Sequence, residues 1–293
     1  MPYPIHEVPL QHLSERINRL LIHLFPSENE HVTWKNHFNL AIENERSCSV
    51  LVPDFHLDLR PRHPPCSRAV PIWVGECGFT SSKRKLQRQL ELATTMVPEL
   101  DFAVMVFIRK AACRLPSYDH ELLPLSRSDF TPSMPPRPNS LDPVVVGGIT
   151  WLTVKSVNFH VFLRGADGKF NFKEGGSLYA QGKLFPHQQM DGVDHVLNSV
   201  VSRLILQFAQ TMEKAGAEPT RINHIRTEAE SVTFSAEWSV LLEELQSSLY
   251  DTAHSRYSKW VRCRTKSSQM GCKAAGPSTI AKKNSKKRNR SCK

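Results

Sequence analysis

The segment from Asp101 to Arg109 (DFAVMVFIR) constrains the fold most strongly, because it is an apolar strand without a polar face. A strand of this kind is stable where both faces of its sheet are covered. It follows a shorter apolar strand, Val70 to Gly75, and a segment with helical spacing, Lys83 to Thr95, which Ser81 or Ser82 can cap. The order strand, helix, strand predicts a crossover unit that joins parallel strands of an α/β domain.

Further helices and strands are predicted around this unit. Apolar residues at helical spacing predict amphipathic helices over Leu10 to Phe25, Asp191 to Met212 and Ala236 to Tyr250. Apolar runs predict strands over Val144 to Val146, Trp151 to Val157 and Phe159 to Leu163. Ser49 to Leu59 predicts either a strand pair or one strand bent at Pro53. We therefore expect an α/β fold in which helices flank a mixed central sheet.

Basic residues are concentrated at the C-terminus. The chain has 293 residues, with 38 Lys and Arg against 28 Asp and Glu. Thirteen of these basic residues and no acidic residue lie within 256–293, which leaves residues 1–255 mildly acidic and excludes a uniformly basic nucleic-acid-binding body. We expect a single α/β domain over 1–255, with a Pro-rich loop at 115–143 inside it, and a disordered basic tail over 256–293.

Several classes of protein are excluded by composition. A hydrophobic content of 40% is enough for a core, and no apolar run approaches the roughly 18 residues of a membrane helix. The N-terminus has neither a basic nor an apolar signal region, and the seven cysteines include no CxxC pair. We therefore expect an intracellular protein in a reducing compartment, without a membrane partner and without a cysteine-based zinc site.

The basic tail predicts a location and partners. Its densest cluster is typical of nuclear localisation or of nucleic-acid contact and consists of Lys282, Lys283, Lys286, Lys287, Arg288 and Arg290. We expect a nuclear protein, or otherwise a cytoplasmic one, whose tail binds nucleic acid or a nuclear import receptor. The sequence leaves open the oligomeric state and the choice between DNA and RNA.

Two carboxylates are candidates for a metal site. Asp54 follows Pro53, and Glu76 directly follows the strand from Val70 to Gly75, so we expect both at the same end of neighbouring strands. Carboxylates so placed suit Mg²⁺, which can activate water and stabilise charge on a phosphodiester. The alternative is that Asp54 is a turn residue after proline and that Glu76 caps the backbone before Ser81.

These residues resemble a known family. Pro53-Asp54, Glu76-Cys77-Gly78 at a strand end, the following helix and the apolar strand are similar to the PD-(D/E)xK phosphodiesterase superfamily, whose core is helix, strand, strand, strand, helix, strand. The resemblance implies a restriction-endonuclease-like fold and a Mg²⁺-dependent endonuclease, with Asp54, Glu76 and the backbone carbonyl of Cys77 as metal ligands. The string PDFHLDL…VPIWVGECGFTSS also resembles uncharacterised basidiomycete fungal proteins over most of 10–210, which implies a lineage without an activity.

The chain departs from the superfamily pattern at one position. The resemblance implies a catalytic lysine at position 78, which is Gly78 here, and Lys83 or Lys85 on the next helix could supply the missing cation. Two functions follow: a nuclease with a relocated lysine, or a non-catalytic nuclear protein that binds nucleic acid or other partners and retains a degenerate nuclease fold. They differ in whether a lysine ammonium group lies beside the two carboxylates.

Overall fold

Strands β5 (Val70–Gly78) and β6 (Phe102–Lys110) form a parallel pair at the centre of the sheet in a computed structural model of the chain. Helix α2 (Lys83–Met96) connects them, which confirms the predicted crossover unit. The Ser82 hydroxyl caps this helix by accepting a hydrogen bond from the Lys85 N–H. The structure describes residues 4–25, 32–44, 49–62, 69–79, 81–113, 116, 124–132, 137–173 and 175–273.

The sheet is mixed, because antiparallel strands surround the parallel pair. Its six described strands have the spatial order β1-β4-β5-β6-β9-β10. On one side of the parallel pair lie β4 (Phe55–Pro61) and the edge strand β1 (Val32–Phe38). On the other side lie β9 (Val154–Leu163) and the edge strand β10 (Tyr179–Phe185). Two small antiparallel pairs accompany it, formed by β2 (Ile42–Asn44) with β3 (Ser49–Leu51) and by β7 (Val144–Val146) with β8 (Ile149–Leu152). The expected mixed sheet is confirmed.

Apolar clusters cover both faces of the sheet. The larger cluster joins one face to the helices α1 (Pro4–Leu24), α3 (Asp191–Lys214), α4 (Pro219–Ser231) and α5 (Trp238–Lys273). The smaller cluster joins the opposite face to α2 and to the β2–β3 hairpin. Strand β6 therefore contributes Val104 to one cluster and Met105 to the other, which explains its lack of a polar face. Among the described helices, none is long and apolar enough to cross a membrane.

Helices α1 and α5 are longer than the sequence predicts. Helix α1 begins at Pro4 because Ile5 is buried and its N–H donates to the Thr252 hydroxyl of α5 at 3.2 Å. Helix α5 continues to Lys273, although a disordered tail was expected from residue 256 onwards. Its later turns are held by Tyr257 and Trp260, whose rings contact the buried ring of Trp151. The helix thus crosses residue 255, where the domain was predicted to end.

Other differences have local causes. Helix α4 was not predicted, because only Ile222, Ile225 and Ala229 are buried along it. The region 151–163 forms the end of β8 and all of β9, with the break at Thr153 rather than at Asn158. The predicted Pro-rich loop at 115–143 lies partly outside the described residues, and its described part contains a short 3-10 helix (Arg127–Phe130).

Helix α1 approaches strand β5 closely at Gly75. A Cβ atom at this position would lie 2.8 Å from Cδ2 of Leu10, which is itself buried. The absence of a side chain therefore lets α1 pack directly on the strand that carries Glu76. The first turn of α1, which carries His6, lies beside Asp54 at the start of β4.

We expect Gly75→Ala to lower the free energy of unfolding by about 1–3 kcal/mol, because the added methyl group overpacks the contact with Leu10. The matched control is Gly192→Ala near the start of α3, where a Cβ meets nothing within 4 Å. Alanine in that helix should raise the stability by about 0.5 kcal/mol. Urea unfolding of both variants tests this, and equal stability of Gly75→Ala and the wild type would contradict the close packing of α1 on β5.

Candidate carboxylate site and its surroundings

The sheet register brings Asp54 and Glu76 together. Phe55 of β4 pairs with Gly75 of β5 in antiparallel register. Asp54 immediately precedes Phe55 and Glu76 immediately follows Gly75, so the two carboxyl groups continue the same register. Glu76 lies inside β5 rather than after it, since this strand extends to Gly78. Of the two arrangements considered from the sequence, the structure places the carboxylates side by side and not in separate turns.

Asp54 is fixed by contacts from two other elements. Its Oδ2 atom accepts a hydrogen bond from the backbone N–H of Cys77 at 2.8 Å. The same oxygen lies 3.4 Å from Nε2 of His6 on α1. The Asp54 and Glu76 carboxyl groups are themselves in hydrogen-bonding contact. Sequence analysis did not identify His6, because it lies ahead of the predicted start of the first helix.

The surroundings of Glu76 disfavour its negative charge. Burial, followed by the charge of Asp54 and the hydrogen bond to Asp54, raises the pKa of Glu76 to about 9. The positive charge of Lys85 acts in the opposite direction on this pKa. Only 2% of Glu76 is exposed. At neutral pH the pair of carboxyl groups therefore retains a proton or requires a cation in its place.

The carboxyl pair fits a hard divalent cation. Oε1 of Glu76 is buried and has no hydrogen-bond partner within the described part of the chain. A buried acceptor of this kind is stabilised by a proton or by a metal ion. Two carboxylates with an unpaired oxygen are a ligand set that Mg²⁺ accepts, with water completing its shell. The backbone of Cys77 contacts Asp54 through its N–H, and the ligand role expected for its carbonyl stays a prediction.

The position of the missing lysine is closed by packing. A Cβ at Gly78 would lie 2.4 Å from Cδ1 of Leu86, which is buried on α2. A lysine at position 78 is therefore incompatible with Leu86 in its present place. Lys85, the neighbour of Leu86, lies close enough for its charge to act on Glu76. Its side chain is exposed at the surface of α2.

A pocket of about 380 Å³ opens on the α2 side of the sheet. Its floor includes Met105, which pairs with Glu76 in the β5–β6 register. Cationic, aromatic and hydrogen-bonding side chains surround it, namely Lys83, Gln87, His160, Phe162, Phe172, Lys173 and Tyr179. His160 Nδ1 and the Tyr179 hydroxyl form a hydrogen bond of 2.9 Å at this pocket. The predicted residue Lys83 thus lies at the pocket, and Lys85 acts on the carboxyl pair.

A second polar cluster was missed by sequence analysis. His37 of β1 pairs with His56 of β4, and Asp58 is two residues further along β4. Burial lowers the pKa of His56 to about 4, with His37 adding to the effect, so its imidazole is neutral at neutral pH. Burial also raises the pKa of Asp58. The alternation of Asp54, His56 and Asp58 with apolar residues was the available signal, because it places three potential ligands on one face of a strand.

The remaining predicted functional residues belong to the tail. Helix α5 ends at Lys273, and the basic cluster lies outside the described residues. It comprises Lys282, Lys283, Lys286, Lys287, Arg288 and Arg290. Their expected roles in nuclear import and nucleic-acid contact stay predictions.

Comparison of the chain with protein-family models, with curated proteins and with solved structures gave no match.

We expect Glu76→Gln to raise the free energy of unfolding above about pH 5 in the absence of divalent cations. The folded-state pKa, about 9, lies above the ordinary value of 4.5, so the folded chain keeps a proton that the unfolded chain releases. The contribution of Glu76 to wild-type stability is therefore fully present below pH 4.5 and is lost as the pH rises towards 9. The neutral amide avoids this loss, and the gain should be on the order of 2–4 kcal/mol at pH 8.

Urea unfolding in a chelating buffer between pH 5 and pH 9 measures this effect. Glu243→Gln, at an exposed position of α5, is the matched control and should follow the wild-type pH profile. Parallel profiles of Glu76→Gln and the wild type would contradict the raised pKa of Glu76.

Proposed function

We propose that the chain is a divalent-cation-dependent phosphodiesterase of the nuclease type. The observation that carries this proposal is the buried pair of Asp54 and Glu76, in which one Glu76 oxygen has no hydrogen-bond partner in the described part of the chain. A buried carboxyl pair costs folding free energy, since one charge is taken out of water beside another. A metal ion bound between the two carboxylates would neutralise their charge and thereby offset this loss of folding free energy. A purely structural role gives no reason to place Glu76 there.

The order of elements supports a restriction-endonuclease-like fold. Helix α1, strands β1, β4 and β5, helix α2 and strand β6 follow one another in the chain, with the small β2–β3 pair inserted. The four strands are neighbours in the sheet, and only β5 and β6 are parallel. This is the succession of helix, strand, strand, strand, helix and strand that the PD-(D/E)xK resemblance implies. Asp54 immediately precedes the second of these strands, and Glu76 lies on the third.

Asp54 and Glu76 would hold Mg²⁺, with the Cys77 carbonyl as the further ligand implied by the resemblance. The ion, when bound, supplies Lewis acidity for the attack of water on a phosphodiester. The Cys77 N–H keeps the Asp54 carboxylate in place, and His6 contacts the same oxygen. Glu76 would have to release its proton to act as a ligand, because its pKa is raised to about 9.

Residues of the α2 side would bind the substrate. Lys83 and Lys173 give the pocket positive charge for a phosphate group, and Phe162, Phe172 and Tyr179 provide aromatic surface on which a base can stack. Lys85 places its charge near the carboxyl pair, where the missing lysine of position 78 would act. The basic tail would add nucleic-acid affinity that falls with salt concentration, and would direct the protein to the nucleus.

A non-catalytic nucleic-acid-binding or interaction protein is the second candidate. The contact between Gly78 and Leu86 favours it, because this packing excludes the superfamily lysine from its usual strand. In such a protein the carboxyl pair would keep its proton, and the pocket and tail would bind a partner without cleavage. Cation binding and cleavage distinguish the two candidates.

We expect wild-type protein to bind Mg²⁺ or Mn²⁺ and to cleave nucleic acid, and Asp54→Asn and Glu76→Gln to lose both. The loss of cleavage should be about hundredfold or more, because each variant removes a carboxylate that holds the cation. Calorimetric titration of the full-length chain measures binding, and end-labelled single- and double-stranded DNA and RNA report cleavage. Glu243→Gln is again the control. Absence of cation binding by the wild type would reject the nuclease and leave the non-catalytic candidate.

We expect Lys85→Met to reduce cleavage by roughly a hundredfold while cation binding is retained, because Lys85 acts on charge rather than as a ligand. Arg84→Met, at the adjacent exposed position of α2, is the control. The rescue test adds Gly78→Lys and Leu86→Ala to the Lys85→Met variant, because Leu86→Ala removes the side chain that closes position 78. The resulting triple variant should regain the cleavage that Lys85→Met alone has lost. Unchanged cleavage in Lys85→Met would show that the substitute cation is elsewhere.

A further inference from the structure

His37, His56 and Asp58 converge on one face of the sheet. Residues that pair in antiparallel register point to the same face, so His37 lies beside His56, and their rings stack with centroids 4.7 Å apart. His56 also pairs with Val74, which belongs to the apolar cluster on the α2 side. Asp58 follows His56 by two residues and shares its face. Two imidazoles and one carboxylate are thus held by two neighbouring strands of the sheet.

The distances within this cluster suit a bound ion better than hydrogen bonds. Nε2 of His37 lies 3.5 Å from Oδ2 of Asp58, and Nε2 of His56 lies 3.6 Å from Oδ1 of Asp58. One potential ligand atom from each residue lies within 4.8 Å of the other two. Two ligand atoms about 2.1 Å from a tetrahedral zinc ion are roughly 3.4 Å apart. The two His–Asp separations, one to each oxygen of Asp58, are close to that value and are longer than most hydrogen bonds.

Two polar atoms of this cluster are buried without a hydrogen-bond partner in the described part of the chain. Oδ1 of Asp58, the oxygen that faces His56, is buried and accepts no hydrogen bond within the described part of the chain. Nδ1 of His56 is also buried and has no hydrogen-bond partner among the described residues. The His56 side chain is only 3% exposed. Buried polar atoms are normally satisfied by a partner in the protein, by water or by an ion. An ion between the three side chains would supply the partner that Asp58 lacks.

We propose that His37, His56 and Asp58 bind a transition-metal ion of the Zn²⁺ class. Two imidazole nitrogens and one carboxylate oxygen form a ligand set that Zn²⁺ and neighbouring first-row metals favour over Mg²⁺. Three protein ligands leave a coordination position for water or for a substrate oxygen. The site is distinct in its residues from the carboxyl pair, and the proposal does not depend on the proposed function.

The two cation sites are neighbours along β4. Asp54 and His56 are two residues apart and alternate with Phe55, so their Cα atoms are about 6.6 Å apart along an extended strand. The zinc-class site would therefore lie next to the carboxyl pair on the same side of the sheet. A second positive charge at this distance would also lower the electrostatic cost of the Asp54 and Glu76 charges.

Zn²⁺ titration of the full-length chain after chelator treatment tests the proposal. We expect the wild type to bind Zn²⁺ at a site that Mg²⁺ does not compete for, and to give a visible absorption spectrum with Co²⁺ as a substitute ion. Asp58→Asn and His37→Gln should each weaken Zn²⁺ binding by at least about tenfold. His224→Gln, at an exposed position of α4, controls for adventitious binding by surface histidines and should equal the wild type.

Control measurements distinguish the loss of a metal ligand from a loss of folding. Circular dichroism and thermal unfolding without metal establish that each variant folds, and the half-buried His37 serves as a second test where a change at Asp58 prevents folding. Zn²⁺ affinity unchanged in folded Asp58→Asn or His37→Gln, or absent in the wild type, would overturn the proposal. Glu76→Gln separates the sites, because it should lose Mg²⁺ or Mn²⁺ and keep Zn²⁺, whereas Asp58→Asn should do the reverse. Failure of one site is therefore visible without failure of the other.

Discussion

A sheet that is covered on both faces offers little water to a side chain in its middle strands, and Glu76 lies in such a strand. The helices on one face and α2 with the β2–β3 pair on the other are stabilised by burial of apolar surface. The same burial raises the energy of any charge placed between them. The architecture thus requires a proton or a cation wherever it encloses a carboxylate. The chemistry proposed for the site depends on this requirement.

Proton and cation compete for the same oxygens. Because the pKa of Glu76 is raised to about 9, a metal ion that binds at neutral pH must displace a proton, and its apparent affinity grows with pH. Asp54 is better prepared for a ligand role, since the Cys77 N–H already holds it. The close contact of Leu86 with Gly78 leaves charge compensation to the surface of α2.

Periodic apolar patterns made the central part of the fold predictable. The crossover of β5, α2 and β6, the Ser82 cap and the proximity of Asp54 to Glu76 all follow from local spacing and from register. Contacts between distant segments were not predictable. The early start of α1 depends on Thr252, and the continuation of α5 depends on the rings around Trp151.

The residues of the candidate sites could be predicted from the sequence only in part. His37 has no marker of its own in the sequence, because only the pairing of β1 with β4 brings it to His56. His6 likewise gains its position from tertiary packing, through the close approach of α1 to Gly75. Sequence analysis therefore identified Asp54 and Glu76, and it missed His6 and His37, which only tertiary packing and strand pairing bring into place. It also missed His56 and Asp58, although the alternation along β4 alone displays them.

The alternation along β4 also constrains how the gene can change. Phe55, Leu57 and Leu59 face the larger apolar cluster, while Asp54, His56 and Asp58 alternate with them. A shift of one residue in the pairing of β4 would exchange the two sets and bury carboxylates among aromatic rings. Insertions or deletions inside this strand should consequently destabilise the fold more than changes of length between β4 and β5. Length variation among descendants of this chain should therefore be confined to the connections, with the spacing from Pro53 to Leu59 preserved.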